Sequence, residues 1–296
     1  MNLEKLPLDQ NRVRALIELA ISEDLDGGVD ITSSATIASD STSTANFLVK
    51  RDGVIAGLDL AAEVFAYLGG TSFVKNCRDG LYVASGTVIA TVTGNTQKIL
   101  LAERSALNFL THLSGIATLT HQWVAAVKGS TAKIRDTRKT IPGLRELEKY
   151  AVRMGGGENH RSSLNESALI KDNHILAAGG IKEAVAALRE RYPEKEIEVE
   201  VDTLAQLEEA LESKVKLILL DNMGLEMTKA AVSLTAGRAK LESSGGLTLE
   251  LASSYAATGV DYLAIGALTH SAPSLDISLD FIEGETSAIT KPGQEA

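Results

Sequence analysis

The spacing of apolar residues divides the chain into stretches of different character. Over 13–21 the run VRALIELAI repeats its apolar positions at helical intervals, whereas NFLVKRDGVIAG and LYVASGTVIATVTG are β-branched and broken by glycine, as strands and turns are. These patterns predict an α+β module. Over 97–113, QKILLAERSALNFLTHL is strongly helical, and Gly115 predicts a break before a second helical run that ends near Lys128. Beyond Thr131 short apolar runs alternate with helical segments, the sign of parallel strands joined by crossover helices. The predicted strands are 132–135, 168–171, 196–201, 216–220, 239–242 and 261–265. Six such units favour a barrel. An open doubly wound sheet is the competitor, but no G-x-G-x-x-G follows a strand and no G-x-x-x-x-G-K-[ST] occurs. The final stretch, GETSAITKPGQEA, is polar and aperiodic and predicts a loose tail.

Composition narrows the class. With 296 residues, 44% hydrophobic and 23% charged, the chain has material for a sizeable core and exceeds one average domain. No apolar run reaches the roughly 18 residues of a membrane span, and the opening MNLEKLPLDQNRVR lacks the apolar region of a signal peptide. The single Cys77 suits a reducing compartment and removes multi-cysteine metal sites, so the expectation is a cytoplasmic protein. A balance of 29 basic against 39 acidic residues, net -10, with 4% aromatic residues, argues against nucleic acid and anionic membranes as partners. The charge is uneven: 133–174 holds nine Lys or Arg against six Asp or Glu. A cationic island in an acidic protein points to a small anionic substrate.

In an α/β barrel the active site lies at the C-terminal strand ends, which here are polar. The basic group comprises Arg138 and Lys139 in DTRKTIPGLR, His160 and Arg161 in GGGENHR, and Lys171 in IKDNH. Arginine forks and lysine point charges together suit a ligand with several anionic groups. Thr140, Pro142 and Gly143 read as a helix start whose free amides add anion affinity beside Lys139, and Gly155–Gly157 as a bend delivering His160 and Arg161. Arg145, Lys149 and Arg153 read instead as a solvated helix face with Glu146 and Glu148. The run EIEVEVD sets Glu196, Glu198, Glu200 and Asp202 on one strand face, and Asp221 follows KLILL. Glu200 and Asp221 at a rim fit either a magnesium ion shared with a phosphorylated ligand or direct pairing with Lys139 or Lys171. Ser244, Gly245 and Gly246, with Gly266, offer a late-barrel phosphate site. By spacing alone Arg104 is a packed helix residue, and His112 and His121 are ordinary helix residues.

The runs DTRKTIPGLRELEKYAVRMGGGENHR, ALIKDNH, EVEVD, LILLDN, LESSGG and GVDYLAIGALTHS, with EDLDGGVDIT and LLAERSALNFLTHLSGIAT upstream, resemble the quinolinate phosphoribosyltransferases. The resemblance implies an N-terminal α+β open sandwich, residues 1–115 joined by 271–296, and an incomplete, about seven-stranded α/β barrel over 116–270. It implies phosphoribosyl transfer to quinolinate with decarboxylation, magnesium with phosphoribosyl pyrophosphate as co-substrate, and a homodimer or a hexamer of dimers. Arg104 then becomes a ligand reaching the neighbouring subunit's site. Arg138, Lys139, Thr140, His160, Arg161 and Lys171 match the residues around quinolinate and phosphoribosyl pyrophosphate. Glu200 and Asp221 match those facing ribose and magnesium, directly or through water, and Ser244–Gly246, Gly266 and Ala267 match the 5′-phosphate site. Lys139, Lys171, Glu200 and Asp221 form the expected catalytic set. Rival readings are a sister transferase acting on nicotinate, a non-catalytic phosphate-binding barrel, and Schiff-base chemistry at Lys171.

Overall fold

The computed structural model describes residues 10–283, so the predicted tail at 284–296 lies outside the described residues. Twelve strands follow in chain order: β1 (Thr42–Val49), β2 (Gly53–Val54), β3 (Thr71–Lys75), β4 (Tyr82–Val83), β5 (Val88–Asn95), β6 (Lys133–Arg135), β7 (Ala168–Ile170), β8 (Ile197–Val201), β9 (Leu217–Asp221), β10 (Lys240–Ser244), β11 (Tyr262–Ala264) and β12 (Ile277–Phe281). The chain divides into two compact units. One contains the described residues up to Thr118, Glu146–Gly155 and those from Ala272 onward; the other contains Leu119–Arg145 and Gly156–Ser271. No helix among the described residues is long and apolar enough to cross a membrane.

The first unit is built on an antiparallel sheet ordered β12-β1-β5-β3, with β2 and β4 paired separately. Alternation along β1 buries Ser43, Ala45, Phe47 and Val49 on one face. Phe47, Phe73 of β3 and Phe65 of the helix Leu58–Leu68 meet at centroid distances of 5.5–5.9 Å, which packs that helix on the sheet. The predicted first helix runs from Gln10 to Leu25 and buries Val13, Ile17 and Ile21, a spacing of four that marks one face. This is the expected α+β open sandwich.

Gly115 does not break the following helix, which is continuous over Thr96–Ala126. The glycine instead permits a close approach: a Cβ there would collide with the Pro273 carbonyl oxygen, while Leu275 N–H donates to Thr111 O at 3.0 Å. The helix Arg145–Met154 also departs from expectation. It groups with the first unit and buries Lys149, 2% exposed, and Glu148, whose Oε1 lies 2.9 Å from His112 Nε2. Tyr150 on the same helix donates to Asp79 at 2.7 Å. It is therefore an interior helix and not a solvated basic face.

All six predicted second-unit strands form, displaced by no more than a residue or two at their ends, in one parallel sheet ordered β6-β11-β10-β9-β8-β7. The helices Ile181–Arg191, Leu204–Glu212, Leu225–Thr235 and Ala252–Ala256 lie in the four crossovers, as parallel neighbours require. Glu158 adds a parallel bridge to Arg135, so a seventh extended segment lies along the outer edge of β6. Along β8, Val199 and Val201 are buried on one side, while Glu198 and Glu200 point to the other, where side chains from β6, β8 and β10 converge. Convergence from alternate strands is the layering of a barrel interior.

Replacing Gly115 by alanine should destabilise the fold by about 1–3 kcal/mol through overpacking against the Pro273 backbone. Denaturant unfolding would show this as a lowered midpoint with an unchanged slope; an unchanged midpoint would mean that the Pro273 segment yields freely.

Candidate active site

The parallel register sets Asp221 opposite Ser244, Ser244 opposite Ala264 and Ala264 opposite Arg135. Residues that follow these positions accordingly share one end of the sheet. Lys139 reaches across that end, with its Cδ 3.0 Å from where a Gly266 Cβ would stand, and Thr269 Oγ1 donates to Lys139 O at 2.8 Å. Gly245, at φ +88°, leaves space that the Asn222 side chain occupies, and Asn222 N–H donates to Ser244 O at 2.8 Å. The ends of β9, β10 and β11 therefore interlock through positions where a side chain would intrude. Ala267 opens the short helix Ala267–His270 directly after Gly266.

The two rim carboxylates differ in their engagement. Lys171 Nζ lies 2.6 Å from Glu200 Oε2, so of the two arrangements open to Glu200 the structure holds the direct pair with lysine. Lys171 also starts the helix Asp172–Ala178, and its N–H donates to His174 Nδ1 at 3.0 Å. Asp221 is half-exposed and accepts from the Asn222 amide at 2.7 Å.

Arg138 and Arg161 are held close enough to repel. Burial, and then the neighbouring Arg138, push the Arg161 guanidinium below its ordinary value. The buried Nε of each is without a hydrogen-bond partner, although Arg161 Nη1 donates to Ser167 O at 2.6 Å. Two partly buried guanidiniums with unused donors form a receptor for anionic oxygens. The predicted helix start at Thr140 does not form. Pro142 and Gly143, at φ +85°, make a turn closed by Leu144 N–H to Ile141 O at 3.1 Å, and the helix begins only at Arg145. Thr140 Oγ1 accepts from Arg145 Nε at 3.0 Å, and Arg145 also holds Ser162 O at 3.1 Å, so Arg145 braces the loops carrying the basic residues.

His160 is buried beneath this rim. Its N–H donates to Asp136 Oδ1 at 2.9 Å, after the bend at Gly156 (φ +91°). The ring nitrogen Nδ1 accepts from Arg161 N–H at 2.8 Å, so the ring hydrogen sits on Nε2, 2.7 Å from Glu198 Oε2 and 3.6 Å from Glu242 Oε1. Glu242 is bound on its other oxygen by Arg135 Nη1 at 2.8 Å. His160, Glu198 and Glu242 have the composition of a metal site, with candidate ligand atoms within 4.8 Å of one another. A metal at Nε2 would need a hydrogen on Nδ1, which the Arg161 amide already occupies, and Arg135 adds a competing positive charge. Desolvation, and then Glu198, raise the Glu242 carboxyl to about 7.

Arg135, Glu198 and Glu242 were not singled out by motif. Their signal was charge at inward strand positions, visible for Glu198 in the alternation of EIEVEV and otherwise hidden in AKIR and AKLE. Arg104 lies in the other unit and is exposed on the helix Thr96–Ala126, not packed as its spacing suggested.

A family model for the C-terminal domain of quinolinate phosphoribosyl transferase matches residues 116–280, and one for the N-terminal domain matches 30–114. The chain belongs to this transferase family. It is 50% identical over 274 residues to a carboxylating nicotinate-nucleotide pyrophosphorylase of Mycobacterium leprae, covering 90% of this chain and 96% of that one. Identity to the chloroplastic pyrophosphorylase of Arabidopsis thaliana is 43% over 287 residues, 90% of this chain and 82% of the relative. The solved nicotinate-nucleotide pyrophosphorylase of Francisella tularensis superposes with a TM-score of 0.90 at 37% identity, covering 95% of this chain and 99% of that one. Membership in the quinolinate phosphoribosyl transferase family agrees with the sandwich-plus-barrel architecture seen here.

Because Glu242 holds its proton to about 7 when folded but releases it near 4.5 when unfolded, its contribution to stability is full below 4.5 and is lost as pH rises to 7. The stability difference between the wild type and Glu242→Gln should therefore fall by up to about 1 kcal/mol per pH unit over that range and level off above it. Urea titrations at several pH values would measure it; a difference that rises with pH would contradict the assignment.

Proposed function

We propose that the chain transfers the phosphoribosyl group of phosphoribosyl pyrophosphate to quinolinate and decarboxylates the product, giving nicotinate mononucleotide, pyrophosphate and carbon dioxide, a step of de novo NAD biosynthesis. The observation that carries this reading is the pair of partly buried guanidiniums, Arg138 and Arg161, with unpartnered Nε groups on a barrel that also presents Lys139 and Lys171. Family membership sets the reaction class, and the number of cations favours a dicarboxylate over nicotinate.

The pyridine nitrogen lone pair forms a bond to ribose C1 as the C1–O bond to pyrophosphate breaks, and pyrophosphate departs with that electron pair. Positive charge develops on the ribose, where Glu200 and Asp221 stabilise it. Lys171, 2.6 Å from Glu200, holds that carboxylate in place. The bond from C2 to its carboxylate then breaks, carbon dioxide leaves, and the electron pair stays on C2 beside the quaternised nitrogen until a proton replaces it. Orientation and exclusion of water are the protein's main contribution to that step. Ser244, Gly245, Gly246, Gly266 and Ala267 receive the 5′-phosphate, with Gly246, which has open space beside its backbone, giving it room to approach.

Magnesium arrives with phosphoribosyl pyrophosphate as part of the substrate. The donor set fits this role: half-exposed Asp221 would offer the ion hard carboxylate oxygens, while Glu200, engaged by Lys171, would face it through water. The working unit is a homodimer, itself able to assemble into a hexamer of dimers, in which Arg104 enters the partner's site. Support comes from the exposure of Arg104. The single cysteine suits a cytoplasmic setting.

With quinolinate, phosphoribosyl pyrophosphate and magnesium, carbon dioxide and pyrophosphate should appear in equal amounts, and nicotinate should give neither. Pyrophosphate from nicotinate without carbon dioxide would reassign the chain to the sister activity, and no turnover with either substrate would favour a binding protein.

A further inference from the structure

At the opposite ends of the barrel strands lies a cavity of about 990 Å³, lined by the first residues of β8, β9, β10 and β11 and by the loops that enter them. Besides Arg135, which is paired with Glu242, six cations line it, Arg189, Lys195, Lys214, Lys216, Arg238 and Lys240, against two carboxylates, Glu196 and Asp261. One of those two is already engaged, since Asp261 Oδ2 accepts from Leu241 N–H at 2.9 Å. None of the six cations stands in an ion pair among the described residues.

Their hydrogen-bond partners are neutral oxygens. Lys195 donates to Asn165 O at 2.7 Å, Arg189 to Lys214 O at 3.1 Å, Lys216 to Arg238 O at 3.3 Å and Lys240 to the Tyr262 hydroxyl at 3.1 Å. Arg238 holds Leu234 O at 2.7 Å and Thr235 O at 3.1 Å, the last carbonyls of the helix Leu225–Thr235. Helix capping of this kind explains why an arginine stands there. It does not neutralise the charge, and it does not account for the lysines on the same wall. Lys214 is also placed against its backbone preference, at φ +56°, a conformation that ordinarily selects glycine. The rest of the chain is acidic overall, so this concentration of unpaired positive charge in a concavity is local.

We propose that this cavity binds an oligophosphate, free or as the phosphate tail of a nucleotide, at a site separate from the catalytic rim. Several lysine point charges beside two arginine forks match a chain of phosphates rather than one carboxylate. Aromatic recognition of a base is not built in, since Arg135 already stacks on the Tyr262 ring, 3.8 Å from its centroid. Strand polarity separates the two sites, so a bound oligophosphate would not compete with quinolinate.

The test is calorimetric titration of inorganic tripolyphosphate into the full chain, the cavity variant Lys214→Gln/Lys216→Gln/Arg238→Gln, the rim variant Arg138→Gln/Arg161→Gln, and Lys182→Gln, an exposed lysine outside the cavity lining. The cavity variant should bind about tenfold more weakly or worse, while the rim variant and Lys182→Gln retain a wild-type binding phase. Unchanged quinolinate turnover would show that the cavity variant is folded and active; should that variant not fold, Lys216→Gln alone should still weaken binding. Displacement of tripolyphosphate by ATP would identify a nucleotide tail, and failure of ATP with retention of tripolyphosphate a free oligophosphate. Wild-type binding in both cavity variants, loss of all binding in the rim variant, or equal weakening by Lys182→Gln would overturn the proposal.

Discussion

The rim of this barrel depends on how its interior neutralises its own charge. Arg135, Glu198 and Glu242 project inward from β6, β8 and β10, and each buried charge alone would cost several kcal/mol. The His160 ring closes the cluster. Its Nε2 hydrogen meets Glu198 while its Nδ1 accepts the Arg161 amide, so one imidazole ties the buried acids to the backbone of a candidate substrate ligand. Asp136 fixes the same segment from behind through the His160 amide and the Asn159 side chain. Arg161 is thereby placed by its backbone, leaving its guanidinium Nε unused.

This division of labour explains why so many charges can crowd one sheet. One set, Arg135, Glu198, Glu242 and His160, is consumed internally. A second, Lys171 with Glu200, is paired but open to solvent, with Lys171 exposed. Arg138, Lys139 and Arg161 are left with capacity for an outside anion. On the proposed reading, quinolinate, with its two carboxylates, engages the third group without disturbing the first.

Strands were legible because parallel strands buried on one side carry apolar runs bounded by polar ends, and every predicted strand in the second unit lies within a residue or two of its observed position. The acidic alternation in EIEVEVD also read correctly, since Glu200 has the lysine that a barrel interior demands. What failed were tertiary effects. Gly115 looked like a helix break because its requirement, a close approach by Pro273, comes from distant sequence. Lys149 looked solvated because its spacing suits surface pairs, yet seven of the ten residues in the helix carrying it are buried, Lys149 among them. Thr140 looked like a helix cap, but Pro142 followed by Gly143 prefers a turn. Arg135 and Glu242 were invisible as a pair because 107 residues separate them. Arg104 acquires meaning only from the family, since spacing alone treats it as one helix residue among many.

The most direct test of this account is diffraction from crystals grown with quinolinate. The pyridine ring is expected at the C-terminal ends of the strands, its carboxylates on the guanidiniums of Arg138 and Arg161, with His160 still bonded to Glu198. Carboxylates held by groups other than Arg138, Lys139, Arg161, Lys171 and a partner's arginine, or a ring bound at the opposite end of the barrel, would contradict it.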